Sequence, residues 1–107
     1  MSFRWPNKDP DEVLDYSMDW SRFLSGATIS SVTWYVNDAS NVKTLLTATG
    51  TVNTLSSTAQ TISSDNQTAT IYLANGTNNV QYQVYCQITD STGNTAERTV
   101  KIKVREK

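Results

Sequence analysis

A chain of 107 residues with no histidine and one cysteine has few ways to do chemistry. The commonest general base and metal ligand is missing, so neither a Ser-His-Asp nor a Cys-His arrangement can be built. Cys86 lies on the apolar parity of a long alternating segment, where a thiol is a buried, inert hydrophobe and not a nucleophile. The four glycines fall in turn-like stretches and form no phosphate-binding loop. Carboxylates do cluster: Asp9, Asp11 and Glu12, continued by Asp15 and Asp19, with Asp90 far downstream. Two carboxyls about 5–10 Å apart across a groove can hydrolyse a glycosidic bond, but neither a groove nor a sugar-stacking platform is written beside them. Calcium takes oxygens from loops, and Asp9, Asp11 and Asp90 would suit it if they met at one end of the fold. The plainer reading is that Asp9 and Asp11 flank Pro10 and cap a turn. No catalytic, metal or cofactor residue is assigned, and the chain reads as non-enzymatic.

Recognition is the chemistry that remains, and aromatic side chains are its usual anchors. Phe3 and Trp5 sit at the start of the chain, in a stretch where Pro6 and Pro10 fix φ and push their predecessors out of the helical region. Residues 1–12 therefore read as a stiff, extended arm. Its Phe3, Trp5, Pro6, Asp9, Pro10 and Asp11 dock either on their own domain or on a neighbour. Tyr35 and Tyr85 fall on the outward parity of their segments and join the arm as candidate contact residues, because tyrosine offers large area at low entropic cost.

The elements that position these groups are strands. Leu14, Tyr16, Met18 and Trp20 alternate with polar residues, a period of two that puts one set on a buried face. Val32, Trp34 and Val36 repeat the pattern, as do Ala69, Ile71 and Leu73. The longest runs are Val80, Tyr82, Val84, Cys86 and Ile88, then Val100, Ile102 and Val104. Between them come Asn- and Asp-rich turns and the hairpin loop Asp90-Ser91-Thr92-Gly93-Asn94. A weaker alternation places Val42, Leu46 and Ala48 on an apolar side, and residues 50–65 hold zero, one or two strands. The expectation is an all-β, immunoglobulin-like antiparallel β-sandwich of about seven strands over residues 13–107, with no disulfide. Its core is Tyr16, Trp20, Trp34, Tyr82, Val84, Cys86, Val100 and Ile102. Tyr82, near the start of the penultimate strand, is expected to bond back to backbone as the corner tyrosine of such folds does. Val84 stands where antibody domains carry a cysteine.

Bulk properties narrow the partners. Nine basic and ten acidic residues give a formal net charge of -1, and phosphate binding needs a concentrated basic surface. The one basic cluster, Lys101, Lys103, Arg105 and Lys107, reads as a solvated strand face that deters aggregation. Nucleic acid is thus not an expected partner. No run approaches the ~20 apolar residues of a membrane span, and the polar start is no signal peptide. A membrane is not expected either, and synthesis in a cytoplasm is.

The opening motif F-x-W-P-x-K-D-P-D-E-V-L-D-Y-x-x-D-W, carried by Phe3 through Trp20, resembles a family of small tailed-bacteriophage proteins. The resemblance extends through Ser21-Arg22-Phe23-Leu24 and the segment from Ile29 to Val36. Family members look like single immunoglobulin-like sandwiches and are described as fibre–tail adaptors or minor virion components. The resemblance implies a structural virion protein, assembled in the host cytoplasm, that binds phage tail or fibre proteins; a homo-oligomer stays open. A carbohydrate-binding or adhesion module on the same fold is the alternative.

Overall fold

The computed structural model describes residues 3–106, the side chains of Phe3 and Arg4 excepted. Along the chain run β1 (Phe3–Arg4), β2 (Leu14–Asp19), the single helical turn α1 (Ser21–Leu24), β3 (Ile29–Asn37) and β4 (Lys43–Leu46). Then come β5 (Thr51–Val52), β6 (Leu55–Ile62), β7 (Thr68–Asn75), β8 (Val80–Asp90) and β9 (Thr95–Val104). They form two sheets, ordered β1-β9-β8-β3-β4 and β2-β7-β6-β5. This is the expected sandwich: seven longer strands, to which two-residue β1 and β5 are added. Every pairing is antiparallel except β1 with β9.

Alternation becomes packing because the pleat sends successive side chains to opposite faces. On β8, Tyr82, Val84, Cys86 and Ile88 are fully buried, and they pair in register with Ile102, Val100, Arg98 and Ala96 of β9. Trp34 of β3 is fully buried beside them, paired with Cys86 on one side and Leu46 on the other. All eight residues expected in the core belong to one buried cluster. Of Val42, Leu46 and Ala48, only Leu46 is buried; Val42 and Ala48 are exposed. Val42 precedes β4 in a turn closed by Asp38, whose Oδ1 accepts from Val42 N–H, and Ala48 follows it where the chain turns at once, with Gly50 N–H donating to Thr47 O.

Tyr82 ties the two sheets together at one end. Its hydroxyl donates to Asn53 O at 2.9 Å, accepts from Thr77 N–H at 2.8 Å, and lies 2.9 Å from Thr54 Oγ1. Gly76 in the adjoining turn has φ +99°, and a Cβ there would come within 2.7 Å of Val104 Cγ2, so only glycine fits. Removing the hydroxyl takes a partner from both Asn53 O and Thr77 N–H in a part-buried site. Tyr82→Phe is therefore expected to cost about 1–3 kcal/mol, read as a lower denaturant midpoint with an unchanged slope.

Candidate interface on the five-stranded sheet

The outer face of β4, β3, β8 and β9 carries two half-buried tyrosines, Tyr35 and Tyr85, while Phe23 on α1 and Tyr72 on β7 of the other sheet are exposed singly. Register sets them side by side: Leu45 pairs with Tyr35, Tyr35 with Tyr85, and Tyr85 with Thr99. One row across the sheet thus reads Leu45–Tyr35–Tyr85–Thr99. Leu45 is 52% exposed, while both tyrosines are half-buried. Flanking rows are polar, with Thr33, Gln87 and Glu97 on one side and Asn37, Gln83 and Lys101 on the other. Tyr85 Oη donates to Gln83 Oε1 at 2.9 Å.

Lys43 crosses this face. Its Nζ lies 4.3 Å from the Tyr35 ring centroid and 5.4 Å from that of Tyr85, and it forms an ion pair with the Glu97 carboxylate. A residue on the edge strand β4 is thereby joined to one on β9, over the two strands between. Both partners are about one-third exposed, at 38% and 32%. Surface ion pairs contribute about 0–1 kcal/mol and exposed cation–π contacts about 0.5–1 kcal/mol. The strap is held weakly and can be exchanged.

The leader lies elsewhere. β1 and the residues after it run along β9, with Trp5 N–H donating to Lys101 O, Lys8 N–H to Lys103 O, and Arg105 N–H to Lys8 O. The Trp5 ring stacks on Tyr16, centroids 4.8 Å apart, and lies 6.2 Å from Trp34. It therefore faces the interior between the sheets, opposite to Tyr35 and Tyr85. Lys8 is fully buried, its ammonium donating to Asp9 O at 2.8 Å and Asn75 O at 2.7 Å. The next residues make a tight turn: Asp11 N–H donates to Asp9 Oδ1, Asp9 N–H to Glu12 Oε1, and Glu12 N–H to Asp9 O. Asp9 and Pro10 are half-buried, whereas Pro6 and Asp11 are exposed. Phe3 pairs through its backbone with Val100, and its side chain is outside the described residues.

The aspartates do not meet. Asp9 sits beside Val104 and Asn75, at the end where β8 begins, whereas Asp90 closes the other end of that eleven-residue strand. At about 3.3 Å per residue the separation is far too large for one calcium ion. Among the described residues no group of three or more potential ligands of the His, Cys, Asp and Glu type is gathered. Asp90 instead organises its hairpin, accepting from Thr92 Oγ1 at 2.8 Å and from the amides of Thr92 and Asn94 at 2.9 Å. These bonds, the Thr92 hydroxyl foremost, hold its carboxyl below the ordinary aspartate value. Ser21 does the same for Asp19, its amide donating to Oδ1. A depressed folded-state pKa contributes stability that is complete above the unfolded pKa and is lost as pH falls through the folded one. The urea midpoint should thus drop as pH falls below about 4, and Asp90→Ala should flatten that dependence. Burial pushes the Cys86 thiol up to about 12, so it has no nucleophilic role at neutral pH.

Sequence reasoning placed Tyr35 and Tyr85 on the outward parity, where they lie side by side, and singled out none of Lys8, Lys43, Leu45 and Glu97 as contact residues. Only the outward parity of Glu97 was readable in advance, and parity does not say which residue lies opposite across three strands.

Comparisons with known proteins agree with this architecture. Residues 8–103 match the family model described as podophage GP4 fiber-tail adaptor protein gp77. A search of curated proteins finds no significant match. Among solved structures, the crystal structure of a chicken TCR superposes with a TM-score of 0.71 at 12% identity, over 99% of this chain and 54% of that one. At that identity the likeness concerns the fold alone, and the chain spans about half of the receptor chain's length. No helix among the described residues is long and apolar enough to cross a membrane.

Proposed function

Because the chain belongs to the podophage GP4 fiber-tail adaptor protein gp77 family, a family of structural phage proteins, we propose that it is a non-enzymatic virion component. It joins tail and fibre proteins through protein–protein contacts on the outer face of the five-stranded sheet. The observation that carries this reading is the cross-strand pair Tyr35–Tyr85, continued by exposed Leu45 and ringed by polar side chains. An apolar centre with a polar rim is the usual anatomy of a protein interface. Among the described leader residues Pro6, Asn7 and Asp11 are exposed to a neighbour, while the Trp5 ring packs against Tyr16 and Trp34. A net charge of -1 speaks against nucleic acid as the partner.

The carbohydrate-binding alternative needs open aromatic faces on which a sugar can stack. Here the chain's own ammonium group sits over both rings, which favours a protein partner. The test is attachment of purified chain to tail and fibre proteins of the same phage. Tyr35→Ala with Tyr85→Ala should keep the circular dichroism of the folded chain and weaken attachment by about 30-fold or more, as loss of a central aromatic anchor does. Unchanged attachment would remove this face from the contact.

A further inference from the structure

Two tyrosine rings and a carboxylate gathered on one face make a receptor for a cation, and the molecule fills it with its own lysine. Tyr35 and Tyr85 are in direct register. Lys43 Nζ lies over both rings at 4.3 and 5.4 Å, and Glu97 supplies the counter-charge. From this geometry we infer that Tyr35, Tyr85 and Glu97 form a cradle for an arginine side chain of the partner protein, and that Lys43 is an internal stand-in displaced on binding. The inference rests on the interface reading above and names the chemistry that reading leaves open.

Three physical points select arginine. Lys43 is tethered to the edge strand β4, and both it and Glu97 are partly solvated, so little holds the internal pair against a competitor. A guanidinium is planar, so it stacks on a ring face while its fork meets a carboxylate; an ammonium is a point charge that must divide itself between the two. Burial under a partner would also exclude water from the ion pair, strengthening the attraction that solvent weakens in the free chain.

The test uses the full chain and a small probe, N-acetyl-arginine methylamide, followed through the ring resonances of Tyr35 and Tyr85. Lys43→Ala empties the cradle, so the probe should shift both rings saturably at millimolar concentration. The wild-type chain should need about tenfold more probe, because Lys43 competes. Adding Glu97→Gln to Lys43→Ala should abolish saturation, and N-acetyl-lysine methylamide should bind more weakly than the arginine probe. No saturable shift in Lys43→Ala, or an equal shift with Glu97→Gln added, overturns the cradle. A second copy of this chain supplying the cation would appear as concentration-dependent sedimentation of the wild type that Glu97→Gln removes, and that result overturns the foreign partner. The titration contains no tail or fibre protein, so its failure leaves the interface reading to the attachment assay.

Discussion

Deleting residues 2–9 is expected to remove a large part of the fold's stability, although these residues look like an appendage in the sequence. Three contributions go together. The Trp5 ring leaves its stack on Tyr16 and its contact with Trp34; truncating a packed tryptophan costs about 3–5 kcal/mol when it is fully buried, and Trp5 is half-buried. The β9 edge loses the backbone bonds given by Trp5 and Lys8, which water replaces at low net cost. Asn75 O loses the buried ammonium of Lys8. A loss of about 3–5 kcal/mol compares with a total of about 5–15 kcal/mol for a domain of this size. In urea that is a midpoint shift on the order of 2 M. A truncated chain with unchanged midpoint would show that the leader contributes no packing. The same variant, assayed at a temperature where it is folded, also separates two contact surfaces. Retained attachment places the contact on the sheet face, and lost attachment places it on the leader.

Where alternation is strict and both faces have opposite character, the fold was legible. β8 reads directly from Val80 to Ile88 because nothing interrupts its period, and β9 does so except at Arg98, which takes an inward position with its guanidinium over the Trp20 ring. The hairpin glycine, Gly93, adopts the positive φ of +93° that its turn requires. Tyr82 was legible for the same reason, together with the glycine-containing turn before it. Residues 50–65 were not. β6 carries an irregularity between Ser57 and Ala59, so that Leu55 and Ser57 point inward before it, while Gln60 and Ile62 pair with Ile71 and Ala69 after it. An extra residue flips the parity, and a period-two search sees two half-patterns that cancel. Two of the inward residues are also polar: Ser57 Oγ donates to Ala48 O and Gln60 Nε2 to Leu46 O. Composition alone marks both as surface.

The hairpin joining β5 and β6 hid for a related reason. Asn53 and Thr54 both have positive φ, at +50° and +67°, the signature of a tight primed turn usually written Asn-Gly. A β-branched residue in that region is strained, so Val-Asn-Thr-Leu does not read as a turn. The strain persists because Thr54 Oγ1 is held 2.9 Å from Tyr82 Oη and 2.6 Å from Thr77 Oγ1. The turn is thus specified by a tyrosine 28 residues away. The candidate interface has the same character. Parity put Tyr35 and Tyr85 outside, but their pairing depends on the register of β3 against β8, and the Lys43–Glu97 strap depends on three registers at once.

Lys8 is the clearest case of a residue whose meaning is set by its surroundings, and its removal should be among the most damaging single changes. A lysine between two prolines at the chain's start reads as solvated, yet it is 0% exposed. Its ammonium reaches the Asp9 and Asn75 carbonyls, joining the turn before β2 to the last residue of β7. Lys8→Ala strips both carbonyls of a charged donor and opens a void along the stem. Asp9 O keeps the Glu12 amide, so the unpaired group is Asn75 O, at about 1–3 kcal/mol. With the void left by the stem a total of about 2–5 kcal/mol is expected, against less than about 0.5 kcal/mol for a surface substitution such as Lys103→Ala. Lys8→Met keeps most of the stem and none of the donors. If Met recovers the loss, the residue acts by filling space; if Met is nearly as damaging as Ala, the two carbonyl bonds are what hold the leader to its sheet. The hydrogen bonds at 2.7 and 2.8 Å favour the second outcome, and chemical denaturation of the two variants decides between them.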